Sequence, residues 1–288
     1  MRLRIAVLLT VAMLSISSAA ILVRLSGASA TTCAFWRLAL STVILLALGL
    51  ARGERPYIGI EPVIAGTALA THFILWMESL FLIPVGLSTA IVITYAMFTA
   101  IVDAVLFRER ISPIQVLGLI LSLSSITLMY ALPTLTRESS NPLGITYSFM
   151  GALMATIYFS IGRATRRRGT ALTGYTTTTY GIAALATLVY ALVVGENLFS
   201  YPIKTWFFLI LLALIPMLGG HTTMNYVLKF VKTSTVTSIA LGEPVIASFL
   251  AYILLQEVIE LRDIVLMLFT ITGVGMVVLS ERGAITTS

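Results

Sequence analysis

The stretch Trp206–Leu228, WFFLILLALIPMLGGHTTMNYVL, decides the fold class. It carries no Asp, Glu, Lys or Arg, and its apolar residues run consecutively instead of alternating with polar ones. A membrane-crossing helix needs roughly 20 mainly apolar residues. A barrel strand, the other way to cross lipid, reads as a short alternating segment with a polar lumen face. Val43-Ile44-Leu45-Leu46-Ala47-Leu48 also fails to alternate, so the segments are read as helices. Composition points the same way: 58% of the 288 residues are hydrophobic and 10% charged, against about 25% charged in a soluble domain. The solvent of this chain is therefore a lipid bilayer.

Working outward from that stretch, ten apolar spans are predicted: 5–23, 33–51, 61–82, 84–107, 113–132, 143–162, 172–194, 206–228, 234–256 and 263–280. The fold class expected is all-α, a polytopic membrane protein of ten transmembrane helices arranged as two inverted five-helix repeats. The repeats fall at 1–136 and 143–288, with a linker at 137–142 inside the polar run Pro133–Pro142. Two histidines mark the repeat. His72 precedes an apolar run closed by Glu109, and His221 precedes one closed by Glu257, at spacings of 37 and 36 residues. Aligning Glu109 on Glu257 sets Tyr95 opposite Glu243 and Ala96 opposite Pro244. An odd number of crossings per repeat turns the second copy upside down, which is how many secondary transporters are built.

Charge supplies the orientation. With ten helices and the N-terminus inside, thirteen basic residues fall on the cytoplasmic side and four outside, with Arg37 left within the membrane. Positive charge in short cytoplasmic loops is the expected bias, so both termini are placed in the cytoplasm of a cell-membrane protein. The net charge of +6 is thereby accounted for without nucleic acid. Arg2, Arg4 and the following apolar stretch also resemble a cleavable signal peptide; cleavage would leave nine helices and break the five-plus-five pattern. The single cysteine, Cys33, excludes an intrachain disulfide and a multi-cysteine metal site. No metal or cofactor is expected, and no catalytic constellation is found. An intramembrane enzyme and a channel-like facilitator are the alternative readings.

Ionisable groups within lipid cost about 2.5–3.5 kcal/mol each on insertion scales and tend to mark pathways. Glu243 sits about nine residues into the ninth span, near the midplane, with Pro244 expected to loosen the helix there. His221, among Gly219, Gly220, the threonines and Asn225, is the expected partner of Glu243, and such a pair could carry a coupling proton. His72 occupies the matching place in the first repeat, with Tyr95 where the second has Glu243; a structural role is favoured there. Trp76 is the deepest tryptophan and the aromatic cavity candidate. Arg37 and Glu78 lie at equal depth and are expected to pair as a structural or gate-forming bridge. Asp103 is assigned to Arg108 or Arg110 as an anchor, and Arg163 with Arg166-Arg167-Arg168 to anionic lipid.

The segments His72-Phe73-Ile74-Leu75-Trp76, Glu109-Arg110-Ile111-Ser112, Gly219-Gly220-His221-Thr222-Thr223-Met224-Asn225 and Leu241-Gly242-Glu243-Pro244 resemble the EamA family of the drug/metabolite transporter superfamily. Phe35-Trp36-Arg37 and Ile161-Gly162-Arg163 fit as well, so the resemblance spans essentially the whole chain. It implies ten helices, a cavity between inverted halves, and export of amino acids or other small metabolites by alternating access, as a monomer or homodimer. H⁺ is the expected coupling ion if one is used. Two departures stand out. Ala96 replaces a proline frequent in the family, so a straighter fourth helix is expected, and Met217 stands where related sequences often carry glutamine.

Overall fold

The computed structural model describes residues 2–131, 141–255 and 261–280. Among them there is no strand, and the helices fall into ten segments. We label these α1 (Leu3–Ser26), α2 (Ala30–Ala51), α3 (Ile60–Leu82), α4 (Val85–Val105), α5 (Pro113–Ala131), α6 (Pro142–Arg167), α7 (Leu172–Val194), α8 (Ile203–Val227), α9 (Thr233–Leu254) and α10 (Leu261–Ser280). All but α5 and α10 are long and apolar enough to cross a membrane; those two contain shorter apolar stretches, Pro113–Leu128 and Ile264–Val277. Glu257 and most of the expected linker lie outside the described residues. At the linker's end Asn141 caps α6, its side-chain oxygen accepting the Leu143 N–H at 2.9 Å.

Helix ends follow local chemistry. Ser29 opens α2 by accepting the Thr32 N–H at 3.1 Å, the standard satisfaction of a free first-turn donor. Gly27 and Gly195 stop α1 and α7 in the left-handed conformation, φ 68° and 73°, which glycine adopts without steric cost. The observed boundaries lie within a few residues of the predicted spans. The largest difference is at α6, which runs on to Arg167 and carries Arg163 and Arg166 into the buried interior.

The two halves interlock. α2 packs on α7, α4 on α9 and α5 on α10, while α1 packs on α8 and α3 on α6. Exchanging every helix with the one five places along leaves this set of pairs unchanged. In lipid, helix association rests on close van der Waals packing, which small residues permit. A methyl group on Gly118 of α5 would come within 2.6 Å of the Gly273 carbonyl of α10. One on Gly220 of α8 would come within 2.5 Å of Ile16 Cγ2 in α1. These glycines set the helix spacing: a larger side chain would have to displace the Gly273 backbone at the first and the Ile16 side chain at the second.

Four helices are irregular near the centre of the bundle. α1 is interrupted at Ser18, whose hydroxyl donates to the Ser15 carbonyl at 2.8 Å. α8 becomes a π-helix over Ala213–Thr222, with Pro216 inside it; a proline that lacks its N–H displaces the regular bonding pattern. α9 is irregular just before Pro244, as its proline predicts, but it tightens to a 3₁₀ turn at Ile239–Gly242 instead of loosening. The fourth helix corrects its expectation. Despite Ala96, α4 breaks at Ile93–Thr94, just before Tyr95. Four consecutive β-branched residues, Ile91-Val92-Ile93-Thr94, disfavour helix there. The Thr94 hydroxyl then donates to the Ile91 carbonyl at 2.7 Å, and the Met97 N–H to the Thr94 carbonyl at 2.9 Å. The breaks in α4 and α9 therefore stand at matching places in the two halves.

Candidate functional site

The irregular segments of α1, α4, α8 and α9 converge on one small cavity. α1 contributes Ile16 and Ala19, α4 contributes Val92 and Tyr95, α8 contributes His221 and α9 contributes Glu243. The regular helices α2 and α3 complete the wall with Arg37, His72 and Trp76. The free volume open to the centre of a water-sized sphere is about 20 Å³, room for about one water. Each polar lining group is buried.

Six of the residues singled out from sequence meet here: Glu243, His221, His72, Tyr95, Trp76 and Arg37. His72 is held in place, its Nδ1 lying 2.9 Å from the Gly151 carbonyl of α6 and its ring stacked on Trp76 at 6.1 Å. His221 sits in an aromatic box, 5.2 Å from Phe73, 5.8 Å from Phe159 and 6.5 Å from His72 between ring centroids. The expected hydrogen bond between His221 and Glu243 is not formed, and His221 Nδ1 has no partner among the described residues. Trp76 Nε1 is likewise unpartnered. Phe159 of α6 was not picked out from sequence; nothing in an apolar run distinguishes a ring that stacks on a site from one that faces lipid.

Arg37 requires a correction. It does not bridge to Glu78: none of the ion pairs among the described residues involves it, and all three guanidinium nitrogens lack a hydrogen-bond partner. Instead Arg37, only 1% exposed, lies 4.1 Å above the centre of the Phe73 ring and joins the cavity wall. It shares that wall with Glu243 without bonding to it. Glu78, half-buried, and Pro244 lie off the cavity. Depth along a helix placed Arg37 and Glu78 level, but it says nothing about the direction each faces.

Asn225 is also off the cavity. Its amide donates to the Tyr158 hydroxyl at 2.5 Å and to the His221 carbonyl at 2.9 Å, tying the end of the π-helix to α6. Asp103 is not anchored by Arg108 or Arg110. It is fully buried and accepts the Ser234 N–H at 2.6 Å, fixing the start of α9. Of the arginines assigned to lipid, Arg163 and Arg166 turn inward, while Arg167 and Arg168 stay exposed. Arg163 and Arg167 both bond Glu109, the latter at 3.0 Å, and Arg166 donates to the Asn225 carbonyl at 3.2 Å. Arg168 reaches Glu61 at 3.1 Å. The two halves are thus clasped by ion pairs at one end of the bundle.

A small cavity lined by buried polar groups between apolar membrane-length helices, and bounded by broken helix segments, is the architecture of a membrane transport protein. The sequence model of the EamA-like transporter family matches residues 3–131 and 142–279, once in each half. The chain belongs to the EamA-like transporter family, within the drug/metabolite transporter superfamily, and is a multi-pass membrane protein. No curated protein matches it. Among solved structures, one crystal structure aligns over 99% of both chains with a TM-score of 0.79 at 18% identity, a likeness of fold.

Proposed function

We propose that the chain is a secondary transporter of the cell membrane, exporting amino acids or other small metabolites by alternating access. The cavity carries this reading: residues from both halves enclose a carboxylate, a guanidinium and two imidazoles in a space too small for cargo. Cargo enters only when the halves part, which is the movement alternating access requires. Ten crossings in two inverted five-helix repeats, 1–136 and 143–288 joined by 137–142, would make the two halves the moving parts. The helix pairing that survives exchange of the halves supports a two-fold relation between them. The bias of thirteen basic residues to four supports cytoplasmic termini. One chain walls the whole cavity, so the transport unit is a single chain, alone or within a homodimer.

H⁺ is the coupling ion in this account, with Glu243 and His221 as its carriers. Both are buried in the cavity wall, and a carboxylate and an imidazole are the side chains best suited to exchanging a proton there. The test is efflux from proteoliposomes with and without an imposed pH gradient. Wild-type efflux is expected to accelerate with the gradient. Glu243→Gln is expected to remain folded in the membrane and to lose transport in both conditions. Full, gradient-responsive transport by Glu243→Gln would sink the assignment.

A further inference from the structure

The charge arrangement of the cavity goes further than the family membership. Arg37 and Glu243 are the two oppositely charged groups of the wall, and neither neutralises the other by a hydrogen bond. A buried guanidinium with no hydrogen-bond partner is exceptional, because burying a charge is costly unless it is paired and hydrogen-bonded. The contact with Phe73 explains its posture. A guanidinium lying over an aromatic face is attracted through that face, which leaves the N–H groups around its edge free. Those donors form the planar fork that matches a carboxylate in two parallel hydrogen bonds.

We propose that Arg37, seated on Phe73, is the residue that reads the carboxylate of the cargo, with Glu243 receiving its ammonium group. The inference rests on the transport reading above and adds a specificity rule to it: a cargo must carry the anion, and the corresponding decarboxylated amine is not carried. The ring of Phe73 is a positioning element, since it touches the guanidinium and does not line the cavity itself.

Three sets of proteoliposomes containing the full chain provide the test, loaded respectively with a ¹⁴C-labelled mixture of the twenty amino acids, of their decarboxylated amines, or of neutral sugars. Wild-type protein is expected to release the amino acids and retain the other two. Arg37→Gln is expected to lower amino-acid efflux about 10- to 100-fold, the worth of hydrogen bonds to a charged group. Arg37→Lys, which keeps the charge but loses the fork, is expected to fall between. The wild-type comparison of amino acids with amines stands even where a variant fails to fold. Amine efflux equal to that of the amino acids, or unaltered efflux by a folded Arg37→Gln, would overturn the proposal and leave the transporter reading intact. Release of sugars alone does the same. Retention of all three mixtures by wild-type protein would overturn both.

Discussion

At the scale of the residue, Arg37 and Glu243 carry opposite charge into the same buried wall yet stay unbonded. A buried charge is costly unless it is paired and hydrogen-bonded, so exchanging an unbonded one for an apolar group of similar length removes that cost. Arg37→Leu is therefore expected to unfold in detergent at a temperature no lower than wild type, while transport is lost. A loss of about 2 kcal/mol or more in stability would mark Arg37 as structural instead. The sequence showed which residues are chemically unusual in lipid, and Glu243, His221, His72, Tyr95 and Trp76 do meet at one cavity. It did not show which way Arg37 or Asn225 faces. A rotation of 100° per residue makes facing sensitive to small irregularities, and α8 has a π-helical stretch just before Asn225.

At the scale of the element, the breaks matter more than the helices. Pro244 announced one of them, because proline leaves a visible signature in sequence; Pro216, inside the π-helical stretch of α8, was not singled out. The break at Ile93–Thr94 has no such marker. It coincides with four consecutive β-branched residues and a hydroxyl that bonds its own backbone. A helix-breaking run of this sort is weak in isolation and decisive only once packing holds it. Close approach by glycine is the complementary device. Gly220 brings the π-helical part of α8 against Ile16 of α1, with no space for a Cβ. Gly220→Val is expected to lower stability by about 1–3 kcal/mol, the usual cost of overpacking, read as a fall in thermal unfolding temperature in detergent. An unchanged unfolding temperature would mean that α1 and α8 are not held together by this contact.

At the scale of the whole molecule, the apolar spans were legible because lipid imposes their length and composition. How they pair was not, since helix contacts in lipid depend on small residues scattered through otherwise similar runs. The structure supplies that pairing: α1 with α8, α3 with α6, and α2, α4 and α5 each with its counterpart in the other half. Glu109 with Arg163 and Arg167, and Glu61 with Arg168, then clasp the halves at one end. The proposed alternating access requires that the cavity between the halves open to one side at a time. The most direct measurement is counterflow: proteoliposomes preloaded with unlabelled amino acids and diluted into a trace of the same labelled mixture. Alternating access predicts a transient accumulation of label above equilibrium with wild-type protein and none with Glu243→Gln. Label that enters wild-type vesicles only up to equilibrium, with no overshoot, would contradict the account, because a passage open to both sides at once cannot exchange one cargo for another.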